Sequence, residues 1–227
     1  MTVRFKFFAI FALAVCAWAA PEFGKLTDSR DGKTYKTVKI GEQVWLAENL
    51  NYEYKIGGAT YGNWCYDNNE KYCPVYGRYY TWGAAMDSVN TGCGYEKTCA
   101  VQGKARGVCP EGWHLPRRAE WDTLLAFVRG AAENNKEGNM LKSAHGWNAY
   151  EGKNGNGSDD YGFSVLPSDY RSRGGRFGAV GFKAGFWTSS EYGEDRARLV
   201  GFTYGYDYAF DDVGAKYVTT TIRCIKD

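Results

Sequence analysis

Six of the seven cysteines lie between Cys65 and Cys224, and their spacing is the strongest chemical signal in the chain. An even cysteine set without a Cys-x-x-Cys pair argues for a disulfide framework and against a zinc centre. Six cysteines permit fifteen pairings. Spacing favours one of them: Cys65 with Cys73, Cys93 with Cys99 and, by elimination, Cys109 with Cys224. The first two close short loops around Asn68-Asn69 and Gly94. In the chain-entropy picture each short loop contributes about 2 to 3 kcal/mol and the long one about 5.

Other chemistry is sparse. The two histidines, His114 and His145, have no His-x-x-x-His partner, and no Gly-x-Ser-x-Gly elbow or phosphate-cradling loop occurs. His114 reads as a side chain that fixes a turn before a helix, and His145 as a loop residue. No catalytic residue is expected. Asn154, Asn156, Asp159 and Asp160 crowd into the Gly-rich stretch from Gly152 to Gly162. Hard oxygens at close spacing are what Ca²⁺ requires, and Asx turns account for the same composition. Calcium is thus the one cofactor the chain raises. Arg171, Arg173 and Arg176 read as a solvated Gly-rich turn.

The aromatic residues point to recognition. Phe202, Tyr204, Tyr206, Tyr208 and Phe210 recur at every second position, so a strand would project them from one face. Such a row either stacks on sugar rings and covers a partner or fills a buried sheet face. Trp64 and Tyr66, with Tyr61, sit beside the Cys65–Cys73 loop. A loop fixed by a disulfide loses less entropy on binding. The ligand-binding candidates are Trp64, Tyr66, Tyr204, Tyr206 and Tyr208.

These residues need elements to position them. Thr34 to Ile40 alternates, Gly41-Glu42-Gln43 turns, and Val44-Trp45-Leu46 starts a partner strand, which predicts an N-terminal hairpin. Tyr54 to Cys73 reads as loop. Tyr79 to Ser88 is a helix candidate through Tyr79, Trp82 and Met86. Ala119 to Arg129 is the clearest helix, with Trp121, Leu124, Leu125 and Val128 on one face. Glu137 to Ser143 reads as a third, short helix. From Tyr161 the pattern is β, ending in a strand with Val218, Thr220, Ile222 and Cys224 on one face and Thr219, Thr221 and Arg223 on the other.

The first 19 residues read as a signal peptide: Arg4 and Lys6, a short apolar run from Ala9 to Ala17, then Ala17-Trp18-Ala19. Lipid anchoring through Cys16 is the alternative, weakened by Val15 where a lipobox takes Gly, Ala or Ser. Residues 20–30 read as a linker and 31–227 as one domain. Losing Arg4 and Lys6 lowers the basic count from 28 to 26, equal to the 26 acids. A neutral domain offers no electrostatic footprint for nucleic acid, and no stretch is long enough to span a bilayer.

Several blocks then fall in a specific order. Asp31 to Gly41 leads to Gln43-Val44-Trp45-Leu46-Ala47-Glu48-Asn49-Leu50, followed by Trp64-Cys65-Tyr66-Asp67 and Tyr76-Gly77-Arg78-Tyr79-Tyr80-Thr81-Trp82. Next come Cys109-Pro110-Glu111-Gly112-Trp113-His114-Leu115-Pro116, Glu120-Trp121, Phe186-Trp187-Thr188-Ser189-Ser190-Glu191 and Ile222-Arg223-Cys224. From about Asp31 onward the chain resembles the Fibrobacter succinogenes major paralogous domain family, which has no established activity. That family is similar to the C-type-lectin-like superfamily, which also holds the formylglycine-generating enzymes. The shared core is Leu115-Pro116, a helix near Glu120-Trp121 and a closing Arg223-Cys224. The resemblance implies the same Cys109–Cys224 bridge.

The family usually has Ser or Thr after Leu-Pro as a helix cap, where this chain has Arg117. That loss should cost about 1 kcal/mol. The Glu-Pro-Asn and Trp-Asn-Asp signatures of calcium-dependent lectins are absent, and Cys224 is expected in a disulfide, unlike the copper-binding cysteine pair of the enzymes. The expected fold is α+β and C-type-lectin-like: two main helices, a small, mostly antiparallel twisted sheet and long disulfide-pinned loops. The expected function is a non-catalytic, exported binding module for extracellular glycan or protein. The alternatives are an envelope interaction domain without a small-molecule site and an oxidase-like enzyme.

Overall fold

A computed structural model describes residues 21–99, 101–131 and 135–227. The signal-peptide reading, with Cys16, lies outside the described residues. The strands in chain order are β1 (Glu22–Thr27), β2 (Thr34–Ile40), β3 (Gln43–Leu46), β4 (Lys55–Ile56), β5 (Ala59–Thr60), β6 (Asn63–Trp64), β7 (Tyr79–Thr81), β8 (Trp113–His114), β9 (Lys183–Glu191), β10 (Arg196–Thr203), β11 (Phe210–Ala215), β12 (Thr219–Thr220) and β13 (Ile225–Lys226). The helices are α1 (Cys73–Tyr76), α2 (Trp82–Ala85), α3 (Ser88–Thr91), α4 (Arg118–Ala131) and α5 (Glu137–Leu141).

The predicted hairpin is β2–β3, in antiparallel register through Val38↔Trp45 and Ile40↔Gln43. Residues 22–27 are not linker. They form β1, an added edge strand pairing Phe23 with Val38 and Leu26 with Tyr35. Polar composition hid this strand, because an edge strand with little buried area carries no alternation to read. The five-stranded sheet runs β1-β2-β3-β13-β8, so the closing strand lies against the N-terminal hairpin, with Ile225 between Trp45 and His114. Two three-stranded sheets, β11-β10-β9 and β12-β7-β6, and the β4–β5 ribbon complete the β structure. Among the described residues the named strands all pair antiparallel.

Helix α4 buries Trp121, Leu124, Leu125 and Val128, the face its periodicity predicts. It is the one long helix among the described residues. The expected helix from Tyr79 to Ser88 is instead β7 followed by the single turn α2 and by α3. Tyr80 pairs with Asn63 on one side and Thr220 on the other. Asp87 takes φ 55°, which ends α2. Helical spacing of three aromatic or apolar residues was satisfied by chance; sheet pairing on both edges won.

Two cores result. One gathers Trp45, Trp121, Phe163, Phe186 and Phe202, with the Trp45 and Trp121 rings 4.8 Å apart. The other surrounds Trp82, Trp187 and the Cys109–Cys224 bridge. The closing segment runs between them, so Thr219 to Ile225 is buried on both faces and the expected two-sided strand is not seen. Leu46 and Leu50 donate N–H groups to the Cys224 and Ile222 carbonyls, while Trp187 donates to Thr221.

All three expected bridges are present. Cα separations are 4.9 Å for Cys65–Cys73, 4.8 Å for Cys93–Cys99 and 5.9 Å for Cys109–Cys224, within the range a disulfide requires. The third ties the segment ahead of α4 to the last strand.

Candidate functional site

The aromatic row is not a strand face. Phe202 lies near the end of β10, where it is buried in the core, and Phe210 begins β11; residues 204–209 form the turn between them. The turn divides the tyrosines by role. Tyr204 packs edge-on between Tyr150 and Phe182, each centroid 5.1 Å away. Tyr206 and Tyr208 stack on each other, 5.0 Å apart at 9°, and are 49% and 43% exposed. Tyr150, Lys183, Thr203, Tyr204, Tyr206 and Tyr208 line a shallow recess of about 300 Å³, at the lower end of small-ligand sites.

This turn is held from beneath by α5. Lys142, the residue that closes the helix, is buried and donates through Nζ to the carbonyls of Gly155 at 3.0 Å, Tyr206 at 3.1 Å and Thr203 at 3.3 Å. Burial pushes its ammonium below the usual lysine range, partly offset by Asp207. One turn earlier, Gly138 lets the helix backbone touch the tyrosine turn. A Cβ there would meet the Tyr208 carbonyl carbon at 2.5 Å. Asn139 donates its N–H to the Asp207 carbonyl at 2.7 Å. The exposed rings thus stand on a turn whose Thr203, Tyr206 and Asp207 carbonyls already accept hydrogen bonds.

Trp64 and Tyr66 lie elsewhere. The Arg171 guanidinium covers the Trp64 ring at 4.1 Å, so Trp64 is stacked within the protein. Trp64 also lines a recess of about 230 Å³ with Glu53, Thr60, Asn63, Glu70 and Arg78. Tyr66 belongs to an aromatic cluster with Tyr72, Tyr76, Tyr79 and Phe177. The arginine loop read as solvated is partly packed: Arg171 stacks on Trp64 and Arg173 lies 5.1 Å over Tyr217. Arginine planes stack on aromatic faces as readily as they hydrate.

The calcium candidates do not fit the ion. Asn154 Oδ1 accepts from the Asn156 N–H, and Asn156 Oδ1 from the Trp147 N–H. Asp159 spends both oxygens on Ser164. Asp160 is exposed. These are Asx-type turns, and the Gly155 carbonyl of the same loop already faces the Lys142 ammonium. The charge that organises the loop comes from the protein itself.

His114 is buried and bridges two carboxylates, with Nε2 2.9 Å from Glu120 Oε1 and Nδ1 2.7 Å from Asp227 Oδ1. His145 is exposed. Sequence reasoning missed Tyr150, Lys183 and Lys142. Tyr150 and Lys183 are brought to the tyrosine turn only by tertiary folding, and Lys142 at a helix end reads as a solvated charge. Only Gly138, inside a short helix where glycine costs about 1 kcal/mol, carried a legible hint of close approach.

One long helix, small antiparallel sheets and three bridges define a disulfide-stapled α+β module with ordered loops. The family model of the Fibrobacter succinogenes major domain matches residues 38–226, and the chain belongs to that family. No curated protein and no solved structure matches it. Among the described residues no helix is long and apolar enough to cross a membrane, and three disulfides are consistent with an exported protein.

Proposed function

We propose that this protein is an exported binding module of C-type-lectin-like fold that recognises glycan on the Tyr204–Tyr208 turn and catalyses no reaction. The observation that carries this reading is the stacked, half-exposed Tyr206–Tyr208 pair on a turn fixed by Lys142 and Gly138. Flat rings with a polar edge bind the apolar face of a sugar while the hydroxyls reach water or nearby polar groups. A prefixed turn loses little entropy on binding, and this makes a shallow recess sufficient. The fold assignment is supported by the Cys109–Cys224 bridge and by β13 lying beside the N-terminal hairpin. Against an oxidase-like chemistry stands the engagement of Cys224 in that bridge, since a disulfide sulfur is neither nucleophile nor good ligand.

The test is titration of neutral oligosaccharides, selected on a glycan array, into the wild type and into Tyr206→Ala and Tyr208→Ala. Each variant should weaken binding about tenfold, the equivalent of roughly 1.4 kcal/mol. Unchanged affinity in the double variant refutes the platform. Absence of any glycan signal, together with co-purification of an envelope protein, moves the assignment to an interaction domain.

A further inference from the structure

A cleft of about 540 Å³, larger than the tyrosine recess of about 300 Å³, lies on another part of the molecule. It opens between β1–β2, the Pro74-Val75 turn of α1 and the loop 162–166, and Arg223 lies at its base. Arg223 is 1% exposed. Nε donates to Asn49 Oδ1 at 2.7 Å; Nη1 donates to the Phe163 carbonyl at 2.5 Å and the Leu46 carbonyl at 3.1 Å; Nη2 donates to the Ser164 carbonyl at 2.9 Å. A guanidinium has five N–H donors. These bonds use four, and the second Nη2–H has no acceptor among the described residues. No carboxylate pairs with Arg223 within 4.0 Å among them either. Burial lowers its pKa to about 9, an effect that the Asp159 and Glu48 carboxylates, neither of them within salt-bridge distance, offset only in part.

A second orphan lines the same cleft. Asn51 Oδ1 is buried and has no hydrogen-bond partner. Around the rim stand Lys36 and His145, both exposed, while Glu48 already accepts from the Lys36 backbone N–H. The cleft therefore presents an unused cationic donor and an unused neutral acceptor. A carboxylate satisfies the first and a hydroxyl the second. A uronic acid carries both on one ring.

We propose that this cleft is a second binding site, for an acidic sugar whose carboxylate approaches Arg223 and whose hydroxyl donates to Asn51. It does not depend on the tyrosine platform.

The experiment is calorimetric titration of trigalacturonate, its methyl ester and an acetylated tripeptide with a free C-terminal carboxylate, against the mature, disulfide-bonded protein. The acid should bind, and the ester, which lacks the charge, should bind at least about tenfold more weakly. Lys36→Glu, at an exposed position, should weaken the acid about tenfold. Asn51→Ala should weaken acid and ester in the same proportion. Because Arg223→Lys removes a buried fork and risks unfolding, those two variants carry the test. Equal binding of acid and ester overturns the proposal, and so does a tripeptide that matches the acid. Tyr206→Ala should leave trigalacturonate binding unchanged, so failure of the tyrosine platform and failure of this cleft are read separately.

Discussion

The buried Lys142 ammonium lies 3.1 Å from the carbonyl of Tyr206, one of the two stacked tyrosines that face solvent. A cation under the turn joins it to the Gly152–Gly162 loop, because the same Nζ also takes the Gly155 carbonyl. Lys142→Met keeps the length of the side chain and leaves three carbonyls without their donor. The expected loss is about 2 to 4 kcal/mol of stability, the range for removing one partner from a buried charged network. Denaturant titration measures it. Glycan affinity should fall in the same variant, since the turn is no longer fixed. A Lys142→Met protein that binds as the wild type does would show that Lys142 does not organise the site.

Helix α4 begins without a Ser or Thr hydroxyl at its cap position, and the fold supplies one from a distance. Arg117 precedes the helix where Ser or Thr is expected, yet Glu120 Oε2 still accepts the Arg117 N–H at 2.8 Å. The hydroxyl comes from the end of β9: Ser190 Oγ accepts the Arg118 N–H at 2.9 Å. Ser190→Ala should cost about 1 kcal/mol. Arg117→Ser should restore most of it by supplying a local cap. A double-mutant cycle in chemical denaturation checks the coupling. Strict additivity of the two changes would mean that Ser190 does not act as the cap.

These two cases mark what could be read from the residues alone. The disulfide pairing, the N-terminal hairpin and the buried face of α4 follow from spacing and periodicity, which are local properties of the chain. The tyrosine candidates were identifiable by type, but their arrangement was not. A period of two from Phe202 to Phe210 fits a strand and a turn equally, and only the β10–β11 register decides. Trp64 and Tyr66 looked free because their covers, Arg171 and Phe177, come from more than a hundred positions away. The Arg223 donors were equally invisible, since an alternating strand pattern does not reveal that both faces of the closing segment are buried.

Acid stability should report on Glu120. Burial pushes its carboxyl up, but the hydrogen bonds from the His114 ring and the Arg117 N–H outweigh this and hold it down at about 2, against 4.5 unperturbed. A depressed folded value means the stabilisation is complete above pH 4.5 and disappears as pH falls through about 2. With solvent screening of a partly exposed pair the amplitude is about 2 kcal/mol. Glu120→Gln should flatten the stability profile in that window and leave the profile above pH 5 parallel to the wild type, about 2 kcal/mol lower. Stability curves that fall with identical slope below pH 4.5 would assign the acid sensitivity to other carboxylates.

The Cys109–Cys224 bridge carries the heaviest expectation. It closes a loop of 115 positions, which corresponds to about 5 kcal/mol of restricted unfolded-state entropy, more than either short bridge contributes. Its removal also acts on the folded state, because the Cys224 carbonyl accepts the Leu46 N–H and the neighbouring Arg223 binds the Leu46 and Phe163 carbonyls. Cys109→Ala with Cys224→Ala should therefore lower stability by about 4 to 5 kcal/mol, whereas Cys93→Ala with Cys99→Ala should cost about half that. Thiol titration of the wild type, purified without reductant, should find no free thiol among the six, and peptide mapping should recover Cys109 joined to Cys224. If the mapped bridges differ, or if the long-loop variant is no less stable than the short-loop one, the closing strand is not secured as the fold requires, and both proposed binding surfaces lose their common scaffold.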